Sequence, residues 1–385
     1  MPRRLLWALC LLASSACGGD DPGPPLPVPA GAWESFEPGG DTVCSRGTPF
    51  RYFVRGGAPD KIIIDFRGGG ACWNNLTCSL AGSIFAEEAG DLADLEAGIG
   101  VGGVGGIYDT SHPDHPFADW TLVHVPYCTG DIHWGDNVAD YGNFSIQHKG
   151  FVNAQAALSW IYERYPAPTH ILVTGCSAGA YGAILHSAYV AEHYPDAAVR
   201  VLSDSGAGII TSTFFEDSFP NWNALANLPP NVERLMKDPS ELTSADLYAG
   251  ISSTYPEHRF AHYSSHYDAD QTFYYEAMGG TPGLWPSLMR ERMEAIRTDA
   301  DNFRYYVAPG PIHCITPYEF MFQRAGETPF IDWLTDFVYG DAIPDDQACE
   351  GAACDVEPLC DACDAAAEPD RYCGFCKGWP EDYVE

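Results

Sequence analysis

The pentapeptide Gly175-Cys176-Ser177-Ala178-Gly179 is the feature that most constrains what this chain can fold into. It stands directly between a strand-like run, His170 to Thr174, and a stretch from Ala178 to His193 that reads as helix. A G-x-S-x-G in that setting predicts a sharp strand-to-helix turn that lifts the serine hydroxyl above a sheet, with the glycines leaving room for the chain to cross at close range. The helix N-terminus then aims its free N–H groups at the point where an oxyanion forms. A purely structural tight turn is the alternative. Further strands are expected at Arg51–Val54, Lys61–Phe66, Thr121–Val125, Val199–Ser203 and Phe303–Val307. Phe151–Tyr165 places Val152, Ala156, Ala157, Trp160 and Ile161 on one helical face. This alternation predicts an α/β fold, α/β-hydrolase-like, with a mostly parallel sheet covered by helices on both faces.

The ends of the chain have a different character. Arg3 and Arg4 precede an apolar run from Leu5 to Ala13, and the small residues Ser14, Ser15 and Ala16 lead into Cys17, so residues 1–16 read as an export signal. Two processing routes compete, cleavage before a lipidated Cys17 and ordinary cleavage after a small-x-small site. Ser14 stands where a lipoprotein signal usually has Leu, but cysteine parity pulls the other way. Of 14 Cys, loss of Cys10 and acylation of Cys17 leave an even number for pairing. The expected location is therefore outside the cytoplasm, favouring a cell-envelope lipoprotein whose only membrane contact is the lipid anchor at Cys17. Residues 17–39, rich in Gly, Pro and Asp, are expected to form a tether. Residues 40–340 form the expected catalytic domain, with Gly98–Gly106 as a glycine-dense loop and residues 209–293, rich in Phe, Trp, Pro and Tyr, as a lid-like insertion.

Residues 341–385 carry six Cys and 13 acidic against 2 basic side chains, and read as a small separate module. Cys360-x-x-Cys363 and Cys373-x-x-Cys376 imitate a four-thiolate zinc site. In an exported chain, six cysteines in so short a segment are expected to form three disulfides instead, so no metal is expected. Over the whole chain, 20 Lys and Arg face 53 Asp and Glu, a net charge of −33. Such a balance argues against nucleic acid, anionic membrane surfaces and polyanionic polymers as partners.

A nucleophilic serine needs a base and an acid. With the order Ser, Asp, His along an α/β-hydrolase chain, histidines before Ser177 are demoted, and His186 and His193 fall within the following helix. Of the remaining His258, His262, His266 and His313, the first three are bunched in the irregular insertion. His313 follows an expected strand and a Pro309-Gly310-Pro311 turn, which makes it the expected base. Spacing leaves the acid open between Asp204, at the end of a strand, and Asp268, within His266-Tyr267-Asp268-Ala269-Asp270-Gln271. Gly68-Gly69-Gly70-Ala71-Cys72, after the strand ending at Phe66, lacks the Gly-Lys-Ser/Thr ending of a P-loop and suits a second source of oxyanion donors.

Phe66-Arg67-Gly68-Gly69-Gly70-Ala71-Cys72, Pro116-Phe117-Ala118-Asp119-Trp120, Pro126-Tyr127-Cys128-Thr129-Gly130-Asp131, Gly175-Cys176-Ser177-Ala178-Gly179, Asp204-Ser205-Gly206 and Ile312-His313-Cys314 together resemble the pectin acetylesterase family, which includes the Notum-type carboxylesterases. The resemblance implies a serine esterase with Ser177 as nucleophile and His313 as base. It also resolves the acid, because the family's Tyr-Asp-x-x-Gln matches Tyr267 to Gln271. Asp204 then becomes a structural carboxylate beside the elbow. By the same matching, the oxyanion donors are the N–H groups of Gly70, Ala71 and Ala178. Where the family commonly has Trp, this chain has Ala71, so the acyl preference does not carry over.

Together these readings imply two-step acyl transfer to water with no cofactor. The expected substrate is an acylated carbohydrate carrying an acetyl or other small acyl ester. Pectin suits a −33 chain poorly. A fatty-acyl esterase acting on protein or lipid, and a non-catalytic binder that kept the fold, are the alternatives. Phe214, Phe215, Phe219 and Trp222 either line the acyl pocket or pack the insertion. Cys72 with Cys78 and Cys44 with Cys128 have plausible partners. If His313 reaches Ser177, their neighbours Cys176 and Cys314 approach within disulfide range, the alternative being two buried thiols that point apart.

Overall fold

The computed structural model describes residues 28–98, 105–324 and 326–356. The export signal, Cys17, most of the tether, the middle of the Gly98–Gly106 run and the four Cys from Cys360 to Cys376 lie outside the described residues. Eleven strands occur in them: β1 (Trp33–Phe36), β2 (Tyr52–Arg55), β3 (Ala58–Phe66), β4 (Trp120–Val125), β5 (Asn137–Asp140), β6 (Ser145–His148), β7 (His170–Cys176), β8 (Ala198–Asp204), β9 (Arg259–Ser265), β10 (Phe303–Ala308) and β11 (Gln347–Ala348). The helices are α1 (Asn75–Cys78), α2 (Leu92–Gly98), α3 (Gly150–Arg164), α4 (Ala178–His193), α5 (Phe214–Trp222), α6 (Ser244–Thr254), α7 (Ala269–Ala277), α8 (Trp285–Asp299) and α9 (Phe330–Tyr339).

Nine strands form one sheet in the order β1-β2-β4-β3-β7-β8-β9-β10-β11, while β5 and β6 pair as a separate ribbon. From β4 through to β11 along the sheet every pairing is parallel, and only the β1–β2 and β2–β4 pairings are antiparallel. Strand alternation sorts side chains to two faces. Ile62, Ile64, Ile171, Val173, Val199 and Val201 join the larger apolar cluster, whereas Ile63, Leu122, Leu172 and Leu202 meet Trp333, Leu334 and Phe337 of α9 on the other. A sheet covered on both faces permits the near-continuous β-branched run of β3. The α3 and α4 helices stop where the sequence stops them, since Pro166 and Pro195 each follow a last residue that cannot stay helical.

The lid-like insertion expected at residues 209–293 is not one. That span holds α5 to α7, most of α8 and a full central strand, β9, flanked by β8 and β10. Its sequence, Arg-Phe-Ala-His-Tyr-Ser-Ser, has no apolar run; of its buried polar side chains, Ser264 accepts from Gln271 and Ser265 donates to the Ile312 carbonyl, while the His262 ring has no hydrogen-bond partner among the described residues. The outer bounds of the domain also shift. The tether expected to reach residue 39 already forms β1 on the sheet edge, and the tail module expected from residue 341 contributes β11 to the opposite edge.

Four disulfides close within the described residues: Cys44–Cys128, Cys72–Cys78, Cys176–Cys314 and Cys349–Cys354. Bridges in this number belong to a protein of an oxidising, extracytoplasmic compartment.

Candidate active site

The carboxyl ends of β3, β7, β8, β9 and β10 converge on one region, as parallel α/β sheets do for their ligands. Ser177 sits between β7 and α4 with φ 58° and ψ −122°, a backbone state L-residues seldom adopt and one that costs about 1–3 kcal/mol. Its N–H donates to the Asp204 carbonyl at 2.8 Å, which ties the turn to β8. A methyl group on Gly179 would collide with the Phe66 carbonyl, so only glycine lets α4 start this close to β3.

The oxyanion loop expected after β3 lies alongside. Gly70 has φ +76° and bridges to Phe85, and the Ala86 N–H donates to the Gly69 carbonyl at 2.8 Å. The Cys72–Cys78 bridge and a Cys72 N–H bond to the Gly130 carbonyl at 2.9 Å fix the far end of the loop. Gly70, Ala71 and Ala178 share one cavity wall with Ser177.

His313 and Asp268 are brought together from either side of β10. Nδ1 of His313 lies 2.8 and 2.9 Å from the two carboxylate oxygens of Asp268. Asp268 is fully buried, caps α7 by accepting from the Gln271 N–H at 2.9 Å, and accepts again from Gln271 Nε2 at 2.9 Å. Gln271 in turn bonds Ser264 Oγ and the Ala207 N–H, holding the carboxylate in register with β9 and the loop after β8. Burial alone would push the His313 pKa down, but the facing Asp268 carboxylate outweighs it and holds the imidazole up at about 9.

Asp204 performs a different task. It is fully buried, and its carboxylate accepts from the N–H groups of Ile315 and Thr316 and from the Thr316 hydroxyl, at 2.6–3.2 Å. The loop carrying His313 is thus hung from the strand beside the elbow. Cys314, with φ 65°, donates its N–H to Ser205 Oγ at 2.9 Å, and its sulfur is bonded to Cys176.

Two cavities meet at this point. A small apolar one, about 70 Å³, is bordered by Trp134, Tyr181, Ile209, Phe214, Phe215 and Leu247 among others. A larger and more polar cleft, about 610 Å³, is bordered by Arg67, Asp91, Asp94, His124, Asp270 and Tyr318 among others. Ser177, His313, Gly70 and Tyr274 border both. Of the four aromatic residues left open between lining an acyl pocket and packing the insertion, Phe214 and Phe215 reach the small cavity. Trp222 does not: it is fully buried and its indole N–H donates to the Cys72 carbonyl at 3.0 Å. Phe219 likewise packs inward, against Trp134 and Phe215.

Tyr274 was not legible as a site residue, yet its hydroxyl donates to the Ile84 carbonyl at 2.5 Å and joins α7 to the segment that bridges to Gly70. Of the other late histidines, His262 is buried within β9 and His266 accepts from Arg290, and neither borders the cavities. His148 lies near Cys72 and Cys78, and His266 near Cys349 and Cys354, but each cysteine pair is a disulfide and offers no thiolate to a metal.

A family model described as Pectinacetylesterase matches residues 38–230, which include the Gly68–Ala71 loop and Ser177, while Asp268 and His313 lie beyond it. Pectin acetylesterase 11 of Arabidopsis thaliana is 28% identical over 169 residues, 43% of this chain and 42% of that protein. Pectin acetylesterase 5 of the same plant is 26% identical over 154 residues, 39% of this chain and 35% of that protein. The chain therefore spans well under half the length of these curated relatives. The Drosophila Wnt deacylase Notum aligns with a TM-score of 0.59 at 18% identity, covering 80% of this chain and 94% of that one, a likeness of fold. With its elbow and glycine loop inside a match over half its length, the chain belongs to the pectinacetylesterase family and has a Notum-like α/β-hydrolase fold.

Proposed function

We propose that the protein is a serine carboxylesterase that removes acetyl or similarly short acyl groups from a hydroxyl of a neutral carbohydrate, with Ser177, His313 and Asp268 as its triad. The observation that carries this reading is the meeting of the two cavities at Ser177 and His313, one small and apolar, the other larger and more polar. An ester has the same asymmetry. The small cavity, at about 70 Å³ against about 610 Å³ for the cleft, favours a short acyl group over a fatty chain. The polar cleft borders Asp65, Asp91, Asp94 and Asp270 against Arg67, which disfavours a polyuronate as the alcohol half.

In this reading Ser177 Oγ attacks the ester carbonyl as His313 takes its proton, and Asp268 orients and stabilises the imidazolium. The N–H groups of Gly70, Ala71 and Ala178 hold the oxyanion, each worth about 3 kcal/mol by analogy with other acyl-transfer enzymes. Collapse of the intermediate expels the alcohol, which receives the proton from His313. Water then cleaves acyl-Ser177 by the same route. Every step uses protein groups and water. An export signal followed by lipidation of Cys17 would tether this activity at the cell envelope.

A series of p-nitrophenyl esters from acetate to palmitate tests the reading. Turnover is expected to be highest at acetate and to fall steeply beyond butyrate. A maximum at palmitate would support the fatty-acyl reading, and no turnover at any length would support a binder.

A further inference from the structure

Asp65, His124 and Tyr108 form a buried polar cluster that the proposed acyl-transfer steps do not use. Asp65 on β3 and His124 on β4 are direct register partners in parallel strands, and both point to the α9 face. His124 Nδ1 lies 2.7 Å from Asp65 Oδ2. The Tyr108 hydroxyl donates to the same carboxylate oxygen and stands 3.0 Å from Nδ1. Asp65 and His124 are 3% and 2% exposed, yet both border the polar cleft that also holds Ser177 and His313.

A carboxylate only accepts, so the imidazole nitrogen facing Asp65 carries the proton, and in the neutral ring Nε2 keeps its lone pair. That Nε2 has no hydrogen-bond partner among the described residues. An oriented acceptor without a partner, on the wall of a polar cleft, is matched by a hydroxyl donor and mismatched by a carboxylate or an ether. We propose that His124 Nε2 accepts a hydrogen bond from a free hydroxyl on the alcohol half of the ester, which makes the cleft a subsite for a sugar or polyol. The inference rests on the esterase reading and names the residue that recognises its carbohydrate.

Two isosteric changes separate this role from a structural one. Asn at position 124 places an amide N–H where Nδ1 stood, keeping the bond to Asp65 and losing the Nε2 acceptor. Gln reaches the Nε2 position and loses the bond to Asp65. The probes are a methyl glucoside monoacetate with its other hydroxyls free, the same compound with those hydroxyls O-methylated, and p-nitrophenyl acetate. The readout is the ratio of kcat/KM for the free over the O-methylated sugar, which cancels any loss of folded enzyme. Wild type is expected to prefer the free sugar by about tenfold or more, His124→Asn to bring the ratio near one, and His124→Gln to keep part of it. A ratio near one in wild type, or one retained by His124→Asn and lost by His124→Gln, would overturn the subsite while p-nitrophenyl acetate turnover leaves the esterase reading standing. No turnover of any of the three esters would overturn that reading and the subsite with it.

Discussion

Cys176 and Cys314 are bonded through their sulfurs with Cα atoms 5.7 Å apart, so the residue before the proposed nucleophile is tied to the residue after the proposed base. The bridge spans 138 residues and links β7 to the loop after β10, across β8 and β9. It acts on the same loop that Asp204 and Ser205 hold by hydrogen bonds.

Replacing Cys176 and Cys314 together by Ala is expected to lower kcat by about tenfold or more at temperatures where far-UV circular dichroism still reports a native sheet. Stability falls by about 2–5 kcal/mol as well, the usual cost of removing a native bridge. Activity and a thermal melt on one preparation check it. Full activity in the double variant would show that hydrogen bonds alone position the base. Recovery of both peptides as alkylatable thiols from folded wild type would show the bridge is not formed.

The two aspartates are expected to separate cleanly. Asp268→Asn costs on the order of 10⁴ in kcat with little change in melting temperature, as loss of the orienting carboxylate does in other triads. Asp204→Asn removes acceptor capacity from two N–H groups and a hydroxyl, and lowers stability by about 1–3 kcal/mol with a smaller effect on kcat. Steady-state kinetics paired with denaturant melts test both, and the opposite pattern would exchange their roles.

The pH dependence follows from the His313–Asp268 pair. The base works unprotonated, and its pKa is held up at about 9, so kcat/KM is expected to rise with pH along a limb well above the ordinary histidine value of about 6.5. The same shift stabilises the fold fully below about 6.5, a contribution lost as pH rises through about 9. A pH–rate profile with its acidic limb at or below 6.5 would contradict this electrostatic picture.

Phe215 borders the small cavity, and Phe215→Ala is expected to enlarge it. The ratio of kcat/KM for p-nitrophenyl butyrate over acetate should rise about tenfold, the scale at which pockets sense one or two methylenes. An unchanged ratio would place the acyl group elsewhere. Trp222→Phe, by contrast, removes the donor to the Cys72 carbonyl and should act on stability without moving that ratio.

Much of the architecture was legible because it rests on local periodicity. Strands β3, β4 and β7 are apolar runs, and α4 begins at Ala178 and ends at His193 as its pattern and the following Tyr194-Pro195 require. Ser177 was legible because its strained turn demands glycine on both sides, a local signature. Strand β9 was not, because it carries the polar residues Arg259, His262, Ser264 and Ser265, and Arg259 and Ser265 meet their partners, the carbonyls of Phe337 and Ile312, only in the folded chain. The same holds for Gln271, Tyr274 and the Asp65–His124 pair, whose roles exist only once separate strands and loops meet. Trp222 and Phe219 misled for the converse reason: aromatic residues beside a site in sequence fill a core as readily as a pocket.

The most direct test of the central claim is to quench the enzyme during turnover of p-nitrophenyl acetate and map the acylated peptide by mass. The mechanism predicts one acetyl group on Ser177, absent from Ser177→Ala, which should also fall below a few per cent of wild-type turnover while keeping its melting temperature. An acetyl group on any other residue, or substantial turnover by Ser177→Ala, would contradict it.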